Sequence, residues 1–503
     1  MACLKINTIA NFIGQIWGAL INFALVPLYI KFLGIESYGL IGFFVSLQAL
    51  VSVMDLGLST SANREVARHS GESDGKLAEV LSTLQYVYFA FAAVIIAGFY
   101  AASGMLSTSW ITAESLSHDI VRKAVIIFGI TVGLRWPVAL YTGILRGVEK
   151  QVKLNAISIA VASLKGVGSA ILVVFVSNSI LLLLEWHLVC GFIEVAVSGT
   201  VAWKSLPATF RKNRGFSYTA LRSILGFSTT VAAISILAVI IKQLDKVVIS
   251  KLLPLADVGY YNTAFQAYTG IQLFITPVST AVFPRLSSII KSGSHEDLTE
   301  VYHKASKTIS FAASPVAAII IFNSRDILLF WTKSTIVAEK ASLTLSILAC
   351  AAIFNSVMQA SYILQLASGL QRIPLINNII AFALFTPLTY FFVMRLGIIG
   401  GAVSWAVYNL LYFSITPYFT HRHVLNDQLV GWYMKDTIPF IVLSLGIFGG
   451  IHLVAEGLNH LTKVVVVATG VVIYVLIASS IDRTVKAHLT SLYHMIAERI
   501  RKN

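Results

Sequence analysis

The chain has 503 residues, of which 57% are apolar and only 12% are charged, and its formal net charge is +14. Soluble domains carry about 25% charged residues and about 45 to 50% apolar residues, so much of this protein's surface must face lipid. The composition therefore excludes a soluble globular protein and predicts an all-α integral membrane protein.

Long apolar runs separated by short charged loops extend through the whole sequence. A helix needs about 20 mostly apolar residues to cross a hydrocarbon layer of about 30 Å. By this criterion the sequence predicts about fourteen transmembrane helices, called spans one to fourteen below. The predicted spans cover residues 8–30, 38–58, 82–104, 124–146, 155–177, 180–203, 224–250, 258–282, 308–331, 341–368, 376–395, 398–419, 437–456 and 462–481.

The first predicted span follows Met1 to Lys5 directly, without a small-residue cleavage site of the secretory type, so we expect it to be retained. The three cysteines, Cys3, Cys190 and Cys350, are isolated in the sequence. Their spacing indicates neither a disulfide framework nor a metal site, and no cofactor is expected.

Spans four to six carry ionisable residues, which should face protein or water because a charge at mid-bilayer costs about 2.5 to 3.5 kcal/mol. Arg135 lies in span four just before Pro137, which predicts a kink. Lys165 lies near the middle of span five. A role in a substrate cavity is the favoured interpretation of both bases, and a structural partner such as an acid or a freed carbonyl is the alternative. Glu194 in span six is a candidate to carry a coupling proton, whereas His187 is interpreted as a satisfied helix histidine.

Span seven carries a denser group of charges. Lys242 and Lys246 are one turn apart on the same helix face, and Asp245 lies between them. Either the two lysines line the cavity, with Asp245 in a coupling or gating role, or Asp245 forms a local ion pair and the lysines extend to the outer membrane face. Bases prevail among the buried charges, which favours an anionic substrate, and phosphate is the anion that the planar guanidinium of Arg binds best.

Most Lys and Arg residues of the connecting segments lie on the amino-terminal side of the membrane, for example Arg64, Arg146 and Arg211. This bias predicts that both termini are cytoplasmic. The same bases should contact anionic lipid headgroups. Because they are divided among many short loops, a nucleic-acid partner is not expected.

Two pairs of segments recur about 220 residues apart, and their shared Gly, Asn and basic positions argue against coincidence. Gly147 to Asn155 matches Gly369 to Asn377, and Lys31 to Gly39 matches Lys251 to Gly259. Repeats in the same orientation predict two related six-helix lobes with a substrate cavity between them. The expected domains are an N-lobe at 1–205, a basic cytoplasmic linker at 206–222, a C-lobe at 223–420, and the last two spans with a basic cytoplasmic tail at 421–503.

Three stretches resemble signatures of the bacterial polysaccharide flippases. Met54 to Ala67 is similar to their second-helix signature, Asp245 to Tyr261 to their seventh-helix signature, and Gly147 to Asn155 to their fourth-loop pattern. The chain is thereby similar to the Wzx-type O-antigen flippases. These belong to the polysaccharide transporter family of the multidrug, oligosaccharidyl-lipid and polysaccharide exporter superfamily.

The resemblance implies a V-shaped transporter in the bacterial inner membrane. It would move an undecaprenyl-pyrophosphate-linked oligosaccharide, the O-antigen or a related repeat unit, from the cytoplasmic to the periplasmic leaflet by alternating access. Cationic cavity residues of the family are thought to meet the pyrophosphate, which would assign this role to Arg135, Lys165 and Lys242 here. Asp55 and Arg64 match the second-helix signature, where a structural or gating role at the cytoplasmic mouth is expected. A polysaccharide polymerase and a chain-length regulator are candidate partners.

Coupling to ATP is not expected, because the sequence has no nucleotide-binding loop of the Gly-rich Lys-Ser/Thr type. A proton gradient, a sodium gradient and downstream polymerisation are the open alternatives for what gives transport its direction. Two other functions stay open: a multidrug or small-molecule exporter of the same superfamily, and a membrane-embedded O-antigen polymerase or glycosyltransferase. An exporter of cations would use acids in its cavity, and the enzymes tend to carry a large outer loop with catalytic residues.

Overall fold

The computed structural model describes residues 2–69, 76–207, 215–225, 229–455 and 457–482. These residues form helices joined by short turns. The described chain contains no β-sheet, and its one β-bridge pairs Thr112 with Pro254. The predicted all-α fold class is confirmed.

The chain divides into two compact units, Met1–Gly259 and Tyr260–Asn503. Ten helices and the start of an eleventh belong to the described part of the first unit. They are α1 (Ala2–Leu33), α2 (Ile35–Ser52), α3 (Leu58–His69), α4 (Lys76–Met105), α5 (His118–Arg135), α6 (Val138–Gly147), α7 (Gln151–Ile171), α8 (Ile180–Ser205), α9 (Tyr218–Leu225), α10 (Thr229–Leu252) and α11 (Leu255–Thr269).

The second unit continues from within α11. Its described helices are α12 (Gln272–Ser292), α13 (His295–Thr332), α14 (Thr335–Ala367), α15 (Arg372–Leu396), α16 (Ile398–Val424), α17 (Leu429–Gly431), α18 (Ile438–Ala455) and α19 (His460–Ile481). A π-helical turn, Trp432–Thr437, joins α17 to α18.

Twelve helical segments of the described chain are long and apolar enough to cross a membrane. They correspond to predicted spans one to six and nine to fourteen, so the protein is a multi-pass membrane protein. The other two predicted spans differ from this pattern. Span seven coincides with the charged helix α10, and span eight is divided between α11 and α12 by a turn at Gly270 and Ile271. The count of fourteen is therefore approximate.

The second-helix signature produces a helix break. After α2 the chain makes a short 3-10 turn and then adopts positive φ angles at Leu56 (46°) and Gly57 (82°). The Asp55 carboxylate accepts hydrogen bonds from the backbone N–H (3.3 Å) and the hydroxyl (2.7 Å) of Ser59, and from the hydroxyl of Tyr88. Asp55 thus satisfies an otherwise unpaired N–H in the first turn of α3.

The second-helix signature also packs against the residues that lead into the fourth-loop pattern. A Cβ atom placed on Gly143 would lie 2.4 Å from the Ser59 carbonyl oxygen, and one on Gly147 would lie 2.7 Å from Cβ of Val66. Small residues of this kind allow two membrane helices to approach closely. Helices α3 and α6 therefore contact each other through two of the sequence's recognisable motifs.

The second pair of repeated segments forms a reciprocal helix crossing between α2 and α11. A Cβ atom on Gly39 would lie 2.1 Å from the Leu255 carbonyl oxygen, and one on Gly259 would lie 2.4 Å from the Ile35 carbonyl oxygen. Residues 35 and 39 are the repeat equivalents of 255 and 259, so each copy makes the same contact on the other. Reciprocal contacts of this kind are the mark of a two-fold relation.

The loop between α4 and α5 is held against the same crossing. The buried Glu36 carboxylate accepts hydrogen bonds from the backbone N–H groups of Glu114, Ser115 and Leu116 at 2.8, 2.9 and 3.2 Å. The backbone N–H of Leu255 donates to the Thr112 carbonyl at 2.8 Å. This loop, which contains Thr112 of the β-bridge, thereby joins the start of α2 to the start of α11.

Buried polar pairs connect the helices of the second unit. Asn355 of α14 donates to Asn409 of α16 at 2.8 Å, and Gln365 donates to Thr420 at 2.7 Å. Trp432 donates to Ser306 of α13 at 3.1 Å. Such interhelical hydrogen bonds stabilise helix association where lipid removes the hydrophobic driving force.

Candidate functional site

The candidate site is a group of charges on three helices of the first unit. Arg135, the last residue of α5, forms an ion pair with Glu194 of α8, with its Nε 2.6 Å from Oε2 of the carboxylate. Both side chains are partly buried. Lys165 of α7 is the third member, because α7 packs against α8 and the lysine lies within electrostatic range of Arg135 and Glu194. We call Arg135, Lys165 and Glu194 the charge cluster.

Two features of the sequence bring Arg135 to Glu194. Pro137 ends α5, and the predicted kink is present as the break between α5 and α6, where the Gly133 carbonyl accepts from the Trp136 N–H at 3.1 Å. A Cβ atom on Gly191 would lie 3.0 Å from Cγ of Arg135. Gly191 therefore leaves space for the arginine stem to cross α8 and reach Glu194.

Lys165 is positioned by the packing of α7 against α1 and α8. A Cβ atom on the next residue, Gly166, would lie 2.4 Å from Cγ2 of Ile21 in α1. On the side of α8, Trp186 donates its indole N–H to the Lys165 carbonyl at 3.3 Å. These contacts restrain the lysine backbone, and the side chain is half-buried.

Two further side chains of α8, His187 and Cys190, lie near the charge cluster. His187 lies 3.1 Å from the hydroxyl of Ser169 through Nε2, which agrees with its interpretation as a satisfied helix histidine. The thiol of Cys190 is buried next to Gly191 and is free. With all three charges ionised the cluster has a net charge of +1, so its bases exceed its acid.

The charges predicted on span seven have a different environment. Lys246 and Asp245 are only 5% and 1% exposed, and their charged atoms are 3.7 Å apart. The Lys246 ammonium also donates to the Lys242 carbonyl at 3.0 Å and to Gln243 at 3.3 Å. Lys242 itself is exposed. The geometry thus favours the local ion pair for Lys246 and Asp245, and of the two predicted lysines it leaves only Lys242 with an accessible side chain.

The predicted residues of the second-helix signature lie in structural contacts. Asp55 caps α3 as described above. Arg64 of α3 contacts the adjacent Glu65 at 2.8 Å through Nη2. Both arrangements favour the structural alternative for these residues.

Sequence reasoning selected Arg135, Lys165 and Glu194 separately but did not pair the arginine with the glutamate. Their positions are 59 residues apart on two different helices, α5 and α8, and no local spacing connects them. Gly191 was also missed, because a glycine in an apolar helix carries no sign of the side chain that it accommodates. Within the described ranges, no group of three or more His, Cys, Asp or Glu residues is arranged to hold a metal ion.

Models of two known protein families match this chain. A family model described as polysaccharide biosynthesis protein matches residues 4–290, and a model named MatE matches residues 231–391. A relative from Shigella flexneri, named "Putative O-antigen transporter", is 21% identical over 417 residues, which is 82% of this chain and 96% of the relative.

Two solved structures share the fold. The lipid II flippase MurJ in an inward closed conformation has a TM-score of 0.73 and 18% identity, with 95% of this chain and 98% of that chain covered. A multidrug resistance MATE family transporter in an inward-facing conformation has a TM-score of 0.69 and 15% identity, with 84% and 96% covered.

Proposed function

The chain belongs to the polysaccharide biosynthesis protein family, and on that premise we propose that it is a flippase for a lipid-linked oligosaccharide. Membership confirms the family that the three sequence signatures indicated. The proposed substrate is an undecaprenyl-pyrophosphate-linked repeat unit of the O-antigen or of a related polysaccharide. The printed name of the Shigella flexneri relative supports this class of cargo.

The observation that carries the proposal is the charge cluster on membrane-spanning helices. A charge inside the bilayer is costly, so two bases beside one acid indicate a functional site rather than a lipid-facing surface. Arg135 and Lys165 are proposed to bind the pyrophosphate, which the guanidinium recognises through its planar fork. The polyprenyl chain need not leave the lipid during translocation, because only the pyrophosphate and the sugars have to cross the hydrocarbon layer.

The ion pair between Arg135 and Glu194 suggests how an ion could be coupled to transport. While Glu194 is ionised, it occupies the guanidinium that the substrate phosphate needs. Protonation of Glu194, or its occupation by sodium, would remove this competition and favour substrate binding. An ion gradient then gives the cycle a direction, because the ligand and the ion stabilise different states of the transporter.

The remaining features of the proposal concern the whole protein. Alternating access is proposed to involve an N-lobe at 1–205 and a C-lobe at 223–420, joined by the linker 206–222, with residues 421–503 outside the repeat. Both termini are proposed to be cytoplasmic, in the bacterial inner membrane. The basic loops would contact anionic lipid, and a polysaccharide polymerase and a chain-length regulator would act on the product.

Leaflet-resolved measurement of lipid-linked oligosaccharide in bacteria depleted of the protein tests the function. We expect the repeat unit to accumulate on the cytoplasmic leaflet and to be cleared by re-expression. Normal translocation with unpolymerised units outside would instead indicate the polymerase or glycosyltransferase alternative. An unchanged glycolipid in both leaflets would contradict the flippase proposal.

A second candidate function is export of small molecules, which the match of the MatE model to residues 231–391 favours. The bases of the charge cluster outnumber its acid, which favours anionic rather than cationic compounds as the exported molecules. Increased sensitivity of the depleted strain to organic anions, with normal glycolipid in both leaflets, would support this candidate.

A further inference from the structure

A long apolar groove lies between α15 and α16 in the second unit. It encloses about 470 Å³ and is lined along α15 by residues one turn apart, from Arg372 to Leu388, and along α16 from Tyr408 to His423. The side chains between these ends are almost all aliphatic or aromatic. The groove lining shares no residue with the charge cluster, whose members lie on α5, α7 and α8.

The repeat shows what this face of α15 lacks. In the first copy, the equivalent face of α7 is covered by α1: Asn155 donates to Asn11 at 2.6 Å, and Trp17 donates to Ser163 at 2.8 Å. With the repeat offset of 222 residues, Asn155 and Ser163 correspond to Asn377 and Phe385, which both line the groove.

Two further positions follow the same relation. Gln151 and Gly166 contact α1 in the first copy, and the same offset converts them to Ile373 and Leu388 of the groove lining. Asn377 retains the asparagine of the repeat, but its buried Nδ2 has no hydrogen-bond partner among the residues that the structure describes, whereas Asn155 is paired with Asn11. The second copy therefore presents as an open groove the face that the first copy covers with a helix.

One end of the groove is basic. Arg372 begins α15 and His423 lies in the last turn of α16, so these antiparallel helices bring both side chains to the same end. The groove lining includes no Asp or Glu, and within the described residues no ion pair engages Arg372. This arrangement fits a ligand with a long hydrocarbon chain along the groove and an anionic group at the basic end. Arg binds phosphate oxygens through paired donors.

The length of the groove selects between two kinds of lipid. From Arg372 to Leu388 it extends over 16 residue steps, or about 24 Å at 1.5 Å per residue. A phospholipid acyl chain occupies one leaflet, which is half of the hydrocarbon layer, or about 15 Å. A single chain that fills the groove must reach well beyond the middle of the bilayer, which a polyprenyl chain does and an acyl chain does not.

We propose that the α15–α16 groove binds the polyprenyl chain of the lipid-linked substrate, with Arg372 and His423 at its phosphate. The proposal rests on the proposed flippase function and adds a second site to the charge cluster. In the predicted topology the basic end of the groove faces the cytoplasmic leaflet, where the substrate is loaded. The groove then holds the hydrocarbon within the bilayer while the head group moves.

Site-specific photocrosslinking tests the groove directly. Ile379 and Ile380 are adjacent on α15 and equally exposed, at 51% and 50%, but only Ile380 lines the groove. The full-length protein carrying benzoylphenylalanine at either position would be placed in nanodiscs of phosphatidylethanolamine and phosphatidylglycerol with undecaprenyl phosphate. We expect crosslinking to undecaprenyl phosphate to be several-fold stronger from position 380 than from 379, and Arg372→Gln to reduce it.

Three results would contradict the proposal that the groove binds the polyprenyl chain: equal crosslinking yields at the two positions, crosslinks to phospholipid alone, or crosslinks to a peptide of this chain. Transport measurements on the variants Ile380→Trp and Ile379→Trp distinguish failure of the groove proposal from failure of the proposed flippase function. If both variants transport normally while depletion still causes cytoplasmic accumulation, the groove proposal fails and the flippase stands. If depletion causes no accumulation, the flippase proposal fails irrespective of the crosslinks.

Discussion

Arg135 crosses α8 at Gly191, where a Cβ atom would lie 3.0 Å from its Cγ, and pairs with Glu194. The ion pair is a structural contact, and it also engages the guanidinium that we propose for the substrate phosphate. A partly buried pair contributes little net stability, but removing one partner leaves the other charge without compensation. Functional tests of these residues must therefore separate lost transport from lost protein.

Neutralising the bases of the charge cluster should stop transport. We expect Arg135→Gln and Lys165→Gln each to abolish clearance of lipid-linked oligosaccharide from the cytoplasmic leaflet while the protein remains in the membrane. Arg135→Lys should retain part of the activity, because it keeps the charge but loses the bidentate fork. Leaflet-resolved glycolipid and quantitative immunoblotting of membranes are the measurements.

The matched control for Arg135 is Lys123→Gln on the same helix. Lys123 pairs with Asp119 one turn away at the surface, and both side chains are exposed, so its removal should have almost no effect on transport or protein level. Full complementation by the double variant Arg135→Ala and Lys165→Ala would disprove the cationic site.

Glu194 should couple the cycle to an ion. We expect Glu194→Gln to slow transport, because a neutral side chain no longer changes its charge as the site alternates between states. The transport rate of the variant should also become insensitive to collapse of the proton gradient, measured in inverted vesicles with and without an uncoupler. A wild-type rate that is unchanged by the uncoupler would exclude proton coupling and direct attention to sodium.

At the scale of helices, close packing depends on glycines at the contact points rather than on large apolar side chains. Gly143 and Gly147 bring α6 against α3, and Gly39 and Gly259 bring α2 against α11. In each case a carbonyl oxygen, which cannot change rotamer, faces the glycine. Substitution at these positions must move a helix.

A larger side chain at the reciprocal crossing should separate α2 from α11. We expect Gly39→Leu to destabilise the crossing by about 1 to 3 kcal/mol, the usual cost of overpacking. A cysteine introduced at position 255, where the native Leu255 is 1% exposed, should then react faster with a maleimide in the Gly39→Leu variant than in the protein that keeps Gly39. Gly98→Leu on α4 is the control, since a Cβ atom there meets nothing within 4 Å. Equal labelling rates in the two variants would contradict this role for Gly39.

At the scale of the whole molecule, the two copies of the repeat have diverged in what covers them. The first copy pairs Asn155 with Asn11 of α1, whereas the second leaves Asn377 facing an apolar groove. The same face of the repeat is thus an internal contact in one half of the chain and a candidate lipid site in the other.

The orientation of the whole protein has a direct test. We expect single cysteines at Ser115, in the loop between α4 and α5, to react with a membrane-impermeant maleimide from the periplasm. Cysteines at Glu149, between α6 and α7, should react only after permeabilisation, because the bias of Lys and Arg places this loop in the cytoplasm. Reversed accessibility would refute the predicted topology and the loading of the groove from the cytoplasmic leaflet.

Local patterns in the sequence were enough to predict the membrane class, most of the spans, the family and the candidate charges. Apolar run length is set by bilayer thickness, and Gly, Asn and basic residues at fixed offsets survive in a repeat because turns and helix contacts need them. The break at Leu56 and Gly57 and the kink at Pro137 follow from neighbouring residues alone.

Only the tertiary structure decided which charges meet. Arg135 and Glu194 belong to helices that are distant in sequence, and helix packing sets their separation, whereas Asp245 and Lys246 were close enough along one helix for their ion pair to be foreseen. The groove could not be predicted either, because the same repeated asparagine is paired with Asn11 at position 155 and lines the groove at position 377. What a helix face contacts depends on its neighbours in space, and no pattern within that helix records them.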